Sequence, residues 1–289
     1  MKILSFGEIL WDVYPDNKYI GGAPLNFAAH IAKLGETSYL FSSVGNDALG
    51  ASAIEQVEKW HIDNRYISTS NTRETGQCLV TLDSSYVPSY NLLMDVAYDY
   101  IPYLDLADDF DVLYFGTLAL RGEYNRSSLK RLMDENCFQE IFVDVNIRPP
   151  FFSEETVLYA LRHATILKIS LEEMPVIAQI LLMQDTENYI CFAKRLSELF
   201  DNLKVIIITL GQNGAYAYDC HIHRECLCAC AKTDVVSTVG AGDSFSAAFL
   251  HRYMQGEDIS LCLEYANKIA CLVVSTYEAV PDYIVDEHR

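Results

Sequence analysis

The sequence predicts an α/β fold of three layers, α/β/α, with a mostly parallel central sheet and a small β-sheet lid. Short apolar runs typical of buried strands alternate with longer runs of helical periodicity along most of the chain. Such alternation is typical of parallel strands covered by helices on both faces. Two regions, 12–20 and about 75–98, break this order, and in the second Cys78, Val80 and Leu82 alternate with more polar neighbours. These regions are predicted to be antiparallel strands of a second, smaller sheet.

The strands and helices of the three-layer part of the fold are predicted as follows, in chain order. The first strand, 1–6, is followed by a helix at 24–34, with Pro24 early in the helix and Gly35 just beyond its end. Further strands are predicted at 39–43, 112–115, 140–143, 166–169 and 204–210, separated by helices at 47–60, 126–136, 155–163, 173–182 and 189–200. No Pro/Gly/Ser-rich linker divides the chain. We therefore predict one domain, 1–289, with the lid inserted into it.

Composition and charge disfavour several classes of partner. The chain has 289 residues, of which 51% are hydrophobic, and a formal net charge of −19 that disfavours nucleic acids and anionic membrane surfaces. The apolar start is interrupted by Glu8 and Asp12, and no run approaches the length of a membrane span. Nine cysteines, an odd number, favour reduced thiols over a disulfide framework. These observations predict a soluble cytoplasmic protein in which any phosphate is bound by a local group of N–H donors and cations.

The strongest chemical signal is the segment 237–246, Ser-Thr-Val-Gly-Ala-Gly-Asp-Ser-Phe-Ser, which leads into an apolar helical run. Gly240 and Gly242 permit a sharp turn that brings backbone N–H groups close to an anion at the start of a helix. A carboxylate at the same place, Asp243, can accept the proton of an attacking alcohol. The alternative is an ordinary turn in which Asp243 only caps the helix.

A second motif joins Gly-Glu-Ile-Leu-Trp-Asp at 7–12 to Gly-Gly-Ala-Pro-Leu-Asn-Phe-Ala at 21–28. A strand end that carries Asp12 and a glycine turn that leads to Asn26 present a carboxylate and an amide. Sugar hydroxyls need both acceptors and donors, so this pair suits a sugar. For either residue alone, turn chemistry or helix capping is the alternative.

In order and spacing, the two motifs make the sequence resemble the ribokinase-like, or PfkB, family of carbohydrate kinases, and the resemblance covers essentially the whole chain. It implies a ribokinase-like fold, ATP-dependent phosphorylation of a small sugar hydroxyl, and binding of ATP and Mg²⁺. Asp243 is implied as the general base. The other catalytic positions it implies are Gly240, Ala241, Gly242 and Arg148, and the sugar-binding positions are Asp12, Gly21, Gly22, Asn26 and Asn146.

Two segments between the motifs also resemble the family. Asp-Val-Asn-Ile-Arg-Pro at 144–149 matches an Asp-x-Asn-x-Arg segment, which implies that Asn146 and Arg148 lie near the transferred phosphate. Lys-Ile-Ser-Leu-Glu-Glu at 168–173 matches a segment in which Ser170 and Glu173 organise water, magnesium and phosphate, without a direct protein ligand to the metal. The alternative for Ser170 and Glu173 is a strand end and a helix cap.

The nucleotide side is implied by two later matches. Thr-Leu-Gly-Gln-Asn-Gly-Ala at 209–215 resembles the family's nucleotide-side turn, which assigns Thr209, Gly211 and Gly214 to ATP, with Gly211 allowing close approach of the ligand. Asn267, in the final long helix, matches a position beside the adenine. Members of the family that bind a monovalent cation usually have Asp where this chain has Ser237, so the resemblance disfavours activation by potassium.

Within the family, the Gly-Gly-Ala-Pro-x-Asn version of the motif is most similar to the fructokinase branch, whereas ribokinases carry a Lys in this segment. Fructose is therefore the favoured acceptor. Ribose, 2-keto-3-deoxygluconate and adenosine remain alternatives, as does a non-catalytic sugar or nucleotide sensor of the same fold. Candidate sugar contacts in the lid are Gln77, Tyr86, Tyr90 and Asn91, and an open face on the lid sheet would suit a homodimer.

A competing metal site is suggested by residue type alone in the segment 221–230. It contains five potential zinc ligands: His221, His223, Cys226, Cys228 and Cys230. The three cysteines occur at every second position and would spread over about 13 Å of one strand face, whereas a structural zinc site usually takes Cys-x-x-Cys pairs on a turn. We therefore favour a buried thiol face of a hairpin. P-loop and dinucleotide-binding motifs do not occur in the sequence, which disfavours those enzyme classes.

Overall fold

The computed structural model describes residues 1–82, 88–183 and 188–283. The described strands are β1 (Lys2–Phe6), β2 (Leu10–Val13), β3 (Lys18–Gly21), β4 (Thr37–Gly45), β5 (Ile67–Ser70), β6 (Gly76–Leu82), β7 (Pro88–Leu92), β8 (Val112–Gly116), β9 (Glu140–Asp144), β10 (Ile166–Ser170), β11 (Val205–Thr209), β12 (Ala215–Asp219) and β13 (Arg224–Cys228). The described α-helices are α1 (Ala23–Lys33), α2 (Ala48–Lys59), α3 (Glu123–Glu135), α4 (Glu154–His163), α5 (Met174–Ile180), α6 (Tyr189–Leu199), α7 (Ala241–Met254) and α8 (Ile259–Val274).

Nine strands form the central sheet in the order β13-β12-β11-β10-β9-β8-β1-β4-β5. All neighbours from β11 to β5 pair in parallel, and β12 and β13 extend the sheet as an antiparallel hairpin at one edge. Strand β8, in the middle of the sheet, is apolar throughout, and every one of its residues is buried, as expected of a strand covered on both faces. The predicted mostly parallel sheet is thereby confirmed.

Successive residues of the sheet strands pack against helices on opposite faces. Ile3 and Tyr114 contribute to a core with Phe27 of α1 and with residues of α7 and α8. Their strand neighbours Leu4 and Phe115 contribute to a second core with residues of α3, α4, α5 and α6. Because side chains alternate along a strand, this division produces the three predicted layers.

The small sheet has the strand order β3-β2-β6-β7. The outer pairs β2–β3 and β6–β7 are antiparallel as predicted, but the central pair β2–β6 is parallel, so the prediction of antiparallel strands is wrong for that pair. The local alternation of polar and apolar residues predicts a strand but does not specify its partner. Tyr86 lies outside the described residues, and the side chain of Tyr90 is likewise outside the described part.

Helix bounds differ from the predictions mainly at α3 and α5. α3 begins three residues earlier than expected, after Gly122, whose extended backbone separates it from a preceding 3₁₀ turn. α5 is shorter than expected because Leu182 adopts a positive φ of 52°, and the N–H of Met183 bonds back to the carbonyl of Ala178. In the part of the chain described by the structure, no helix combines the length and apolar character needed to cross a lipid bilayer.

Candidate active site

Several of the site residues predicted from the sequence lie where parallel strands of the central sheet end and α1 and α7 begin. Asp144 and Ser170 are the last residues of β9 and β10, and Thr209 ends β11. Ligands of open α/β sheets bind at this carboxyl edge because the loops that follow the strands meet there. The edge therefore gathers segments that lie far apart in the sequence.

The glycine turn of the C-terminal motif opens directly into α7. Gly240 has the left-handed φ of 79° and precedes Ala241, the first residue of the helix. A Cβ on Gly240 would lie only 2.5 Å from the carbonyl oxygen of Ala279, so only glycine fits. The first backbone bond back into α7 joins Ser244 N to the Gly240 carbonyl, which leaves the N–H groups of Gly242 and Asp243 in the open first turn. This turn can bind an oxyanion.

Asp243 contacts the N-terminal motif. Asn26 Nδ2 donates to Asp243 Oδ2 at 2.8 Å across a sequence separation of 217 residues. Burial raises the pKa of Asp243 to about 6, and the hydrogen bond from Asn26 opposes this rise. The bond engages one carboxylate oxygen, so the other can accept a proton from a ligand. A carboxyl with this pKa is largely ionised at neutral pH and can act as a base.

Asp12 lies on β2 of the small sheet, beside the glycines of the same motif. A Cβ on Gly21 would lie 3.3 Å from Asp12 Oδ2, and a Cβ on Gly22 would lie 2.3 Å from the carbonyl oxygen of Glu8. Both glycines therefore keep the space around these acidic residues clear. Burial raises the pKa of Asp12, while a hydrogen bond from Cys78 and the charge of Arg148 lower it.

Glu8 is a site residue that the sequence reasoning missed. Its side chain is buried, Oε1 accepts from Ala23 N at 3.3 Å, and Oε2 has no partner among the described residues. Burial raises the pKa of Glu8 to about 7; the nearby Asp243 raises it further, and Arg148 lowers it. A charged residue between two apolar strand segments was the available signal.

Arg148 is exposed and makes no ion pair with any described residue. Its charge acts on the carboxyl groups of Glu8, Asp12 and Asp243, which locates it at the same site. Asn146, two residues earlier, adopts a positive φ of 47° in the loop after β9. The loop thereby brings an amide and a guanidinium to the edge where the glycine turn opens.

Glu173 ties two strand ends together. One carboxylate oxygen accepts from Ser170 N at 2.7 Å and the other accepts from Ile147 N. Burial raises the pKa of Glu173, and these two backbone donors oppose the rise. The carboxyl group therefore orders the loops that carry Arg148 and Ser170.

The predicted nucleotide-side residues lie at the β12–β13 edge of the sheet. A Cβ on Gly214 would lie 2.0 Å from the carbonyl oxygen of Cys228, and Asn267 Nδ2 donates to that same oxygen at 3.2 Å. Gly211, with a φ of 57°, is exposed and has open space around its Cα. The structure thus brings Gly214 and Asn267 together and leaves the surface at Gly211 open for a ligand.

Two candidate lid contacts lie away from Asp12. Asp12 pairs in register with Cys78, so Cys78 lies on the same face of the small sheet. Gln77 precedes Cys78, and Asn91 pairs with Leu79, so both lie on the opposite face. The register therefore places Cys78, rather than Gln77 or Asn91, on the face that carries Asp12.

The segment proposed as an alternative zinc site, 221–230, forms the turn after β12, strand β13 and its extension, so the hairpin favoured from the sequence is present, but Cys226 is buried whereas Cys228 and Cys230 are half-buried. Cys226 packs into the core, and the Oη of Tyr218 and Nδ1 of His223 lie 2.9 Å apart, within hydrogen-bonding distance. Cys230 lies beyond the strand, with its Sγ 2.9 Å from Sγ of Cys271 on α8. Across the described ranges, no three His, Cys, Asp or Glu side chains converge in a way that could hold a metal ion.

Ser237 Oγ accepts from Val239 N at 3.2 Å within the turn before α7.

Known proteins resemble this chain in sequence and in fold. Residues 6–284 match the family described as pfkB family carbohydrate kinase. Probable fructokinase-2 of Arabidopsis thaliana is 24% identical over 312 residues, covering 96% of this chain and 92% of that protein. An uncharacterised sugar kinase from Pyrococcus horikoshii in complex with ATP has a TM-score of 0.80 at 25% identity, covering 96% of this chain and 94% of its own. Aminoimidazole riboside kinase from Salmonella enterica has a TM-score of 0.81 at 21% identity, and the match covers 97% of this chain and 95% of that one. At this identity the similarity shows a shared fold.

Proposed function

The chain belongs to the pfkB family of carbohydrate kinases, and from this premise we propose that it transfers the γ-phosphoryl group of ATP to a hydroxyl of a small neutral sugar, with fructose the favoured acceptor. The observation that carries the proposal is the contact of Asn26 with Asp243 at the mouth of the glycine turn. It unites a sugar-side motif, a base and an oxyanion site at one point.

Asp243 is proposed as the general base. Its free carboxylate oxygen takes the proton of the sugar hydroxyl as the hydroxyl oxygen bonds to the γ-phosphorus, and the bond from that phosphorus to the β–γ bridging oxygen breaks. The N–H groups of Gly242 and Asp243 and the helix dipole of α7 stabilise the negative charge of the transferred group. Positioning and charge stabilisation supply most of the catalysis in phosphoryl transfer.

ATP is proposed to extend from the glycine turn towards the β12–β13 edge, past Thr209, Gly211 and Gly214 to Asn267. Arg148 and Asn146 would contact the transferred phosphate. Mg²⁺ suits this site as a companion of the phosphates, because it usually binds through phosphates and retained waters rather than a protein cage. Each oxygen of Glu173 accepts one backbone N–H and retains a lone pair, which fits a role in ordering that water.

The charges around Asp243 support a neutral acceptor. Glu8, Asp12 and Asp243 are all within electrostatic range of Arg148, the cation shared by all three. Carboxylates accept hydrogen bonds from sugar hydroxyls but repel a second phosphate or a carboxylate. The resemblance of the motif at 21–28 to fructokinases, and the likeness to probable fructokinase-2, support fructose within this class.

A coupled assay of ADP release with ATP and Mg²⁺ tests the proposed function. We expect turnover with fructose above that with ribose, 2-keto-3-deoxygluconate, tagatose 6-phosphate, fructose 1-phosphate or adenosine. Preference for a different member of the panel would refute fructose and retain the kinase. Absence of turnover with every acceptor, together with measurable ATP binding, would favour a sensor.

The contribution of Asp12 to sugar binding gives a second prediction. Asp12→Asn is expected to raise the KM for the sugar by roughly 10- to 100-fold, the scale of a lost hydrogen bond to a charged acceptor, with a smaller effect on kcat. Asp16→Asn, at an exposed turn of the same small sheet, is the matched control and should keep the wild-type KM. An unchanged sugar KM in Asp12→Asn would remove Asp12 from the sugar site.

The segments 12–20 and 75–98 are proposed to act as a lid within one domain, 1–289. Closure over the sugar would exclude water from the transferred phosphoryl group. The exposed β3, on which Tyr19 is 50% accessible, is one edge of this sheet and suits a homodimer formed through the lid. Sedimentation velocity of the purified protein measures this association, and a monomer at all concentrations would exclude it.

A further inference from the structure

A buried group of polar side chains lies directly beneath the glycine turn. Lys168 Nζ donates to Asp144 Oδ2 at 2.7 Å, and the two side chains are only 6% and 4% exposed. Ser246 Oγ lies 3.2 Å from the same Asp144 oxygen and 2.9 Å from the carbonyl oxygen of Gly242, so its proton is shared between two acceptors. A Cβ on Gly242 would lie 3.4 Å from Lys168 Nζ. The ammonium group therefore packs against the turn that would bind the phosphoryl group.

The position of this pair is set by strand register. Lys168 of β10 is the direct neighbour of Asp144 of β9 in the parallel ladder; Lys168 lies between two apolar residues of its strand, and Asp144 follows the apolar run of β9. Ser246 comes from the first turns of α7, one turn after Gly242. The group thus connects two strand ends to the helix that carries Asp243.

We propose that these three residues, the Lys168–Asp144–Ser246 network, position the glycine turn and set the charge state of Asp243 during phosphoryl transfer. The inference rests on the proposed kinase function and deepens it. Lys168 and Asp144 are positioning residues in this scheme, since they act through Asp243 and the turn. Their charges oppose each other: Asp144 raises the pKa of Asp243 and Lys168 lowers it.

A purely structural role explains the network less well. A buried ion pair is often no more stabilising than apolar side chains of the same volume, so holding the strand ends together does not require charge. Here the pair lies beside a carboxyl group that must gain and lose a proton in each catalytic cycle. The ionisable groups that face Asp243 from the packed elements are Glu8 after β1, Tyr114 on β8, Asp144 on β9, Arg148 after β9 and Lys168 on β10.

The test uses two variants that break the same ion pair but change the charge in opposite directions. The pH dependence of kcat/KM is measured for wild type, Asp144→Asn, Lys168→Gln and the double variant, because its acid limb reports the base of the free enzyme. We expect the midpoint of the acid limb to shift to lower pH by about one unit in D144N and to higher pH by about one unit in K168Q. The midpoint of the double variant should lie near that of wild type. A structural role predicts lower activity without opposite shifts.

Ligand-free protein provides an independent readout. Carboxyl ¹³C titration should show the same order of Asp243 pKa values, with the resonance identified by its absence from D243N. Because Glu8 titrates near the same pH, the profiles are repeated in an E8Q background, in which the opposite shifts should persist. Shifts in the same direction, or no shifts, in folded and active D144N and K168Q would overturn the proposal.

Ser246→Ala keeps the test decisive if either single charge variant does not fold. This variant keeps both charges and removes the hydroxyl that links Asp144 to the turn. We therefore expect kcat to fall several-fold, whereas the acid limb of the kcat/KM profile and the KM for the sugar should not change. An unchanged kcat in S246A would contradict the positioning role. An inactive wild type would instead contradict the proposed kinase function, so the two failures are distinguishable.

Discussion

Asp243→Asn is expected to lower turnover by at least about 100-fold, while the dissociation constants for sugar and ATP change by no more than a few-fold. The amide retains an acceptor oxygen for Asn26 Nδ2, so the local geometry is preserved. It cannot take the proton of the attacking hydroxyl, which removes the base without removing the site. Steady-state kinetics combined with calorimetric titration of each ligand separate these two effects.

Protein stability gives the control for this variant. The folded-state pKa of Asp243, about 6, lies above the ordinary value of 3.8, so ionisation lowers the free energy of unfolding as pH rises from about 4 to about 6. D243N lacks this loss, and well above pH 6 it should be more stable than wild type by on the order of 3 kcal/mol. Asp201→Asn, at an exposed turn, should retain wild-type turnover. Near-normal turnover of a folded D243N would refute the assignment of the base.

Gly240→Ala is expected to lower kcat by roughly 10- to 100-fold, because a displacement of the order of 1 Å at the reacting groups costs this much. The new Cβ would lie 2.5 Å from the carbonyl oxygen and 2.7 Å from the Cα of Ala279, so the turn must move. Its φ of 79° adds backbone strain of about 1 kcal/mol. Kinetics and thermal unfolding measured on the same preparation report the two consequences.

Gly256→Ala is the matched control for Gly240→Ala. Gly256 also has a φ of 79°, but a Cβ added there would have no atom of a neighbouring residue within 4 Å. This variant should therefore lose about 1 kcal/mol of stability through strain alone and keep wild-type kcat. Equal losses of kcat in the two variants would mean that strain, rather than displacement of the oxyanion site, explains the effect.

Much of the architecture is encoded in local patterns. The strands of the central sheet are short apolar runs, and their alternation with helices predicts parallel pairing because both faces must be buried. The two motifs that carry Asn26 and Asp243 are visible in the sequence, although only the resemblance to a family assigns their roles. These features depend on residue type within short segments, which a single sequence displays.

The features that were not predicted depend on long-range partners. The parallel pairing of β2 with β6 is one example, because alternation does not specify which strand is adjacent. Lys168 and Asp144 are another: Lys168 interrupts an apolar strand and Asp144 ends one, but their pairing depends on the register of β9 and β10. Glu8 shows the same limitation, since its burial results from the packing of segments distant in sequence.

The proposed acceptor contacts are divided between the two sheets, and this division affects substrate discrimination. Asp12 belongs to the small sheet, whereas Asp243 and Asn26 belong to helices on the central sheet, and only residues 7–9 separate β1 from β2. We expect a molecule with several hydroxyls to bridge the two parts, while a single water molecule contacts one of them. The enzyme would then favour phosphorylation of the sugar over hydrolysis of ATP because the sugar is long enough to contact both parts of the site. The basicity of Asp243 would not account for this preference.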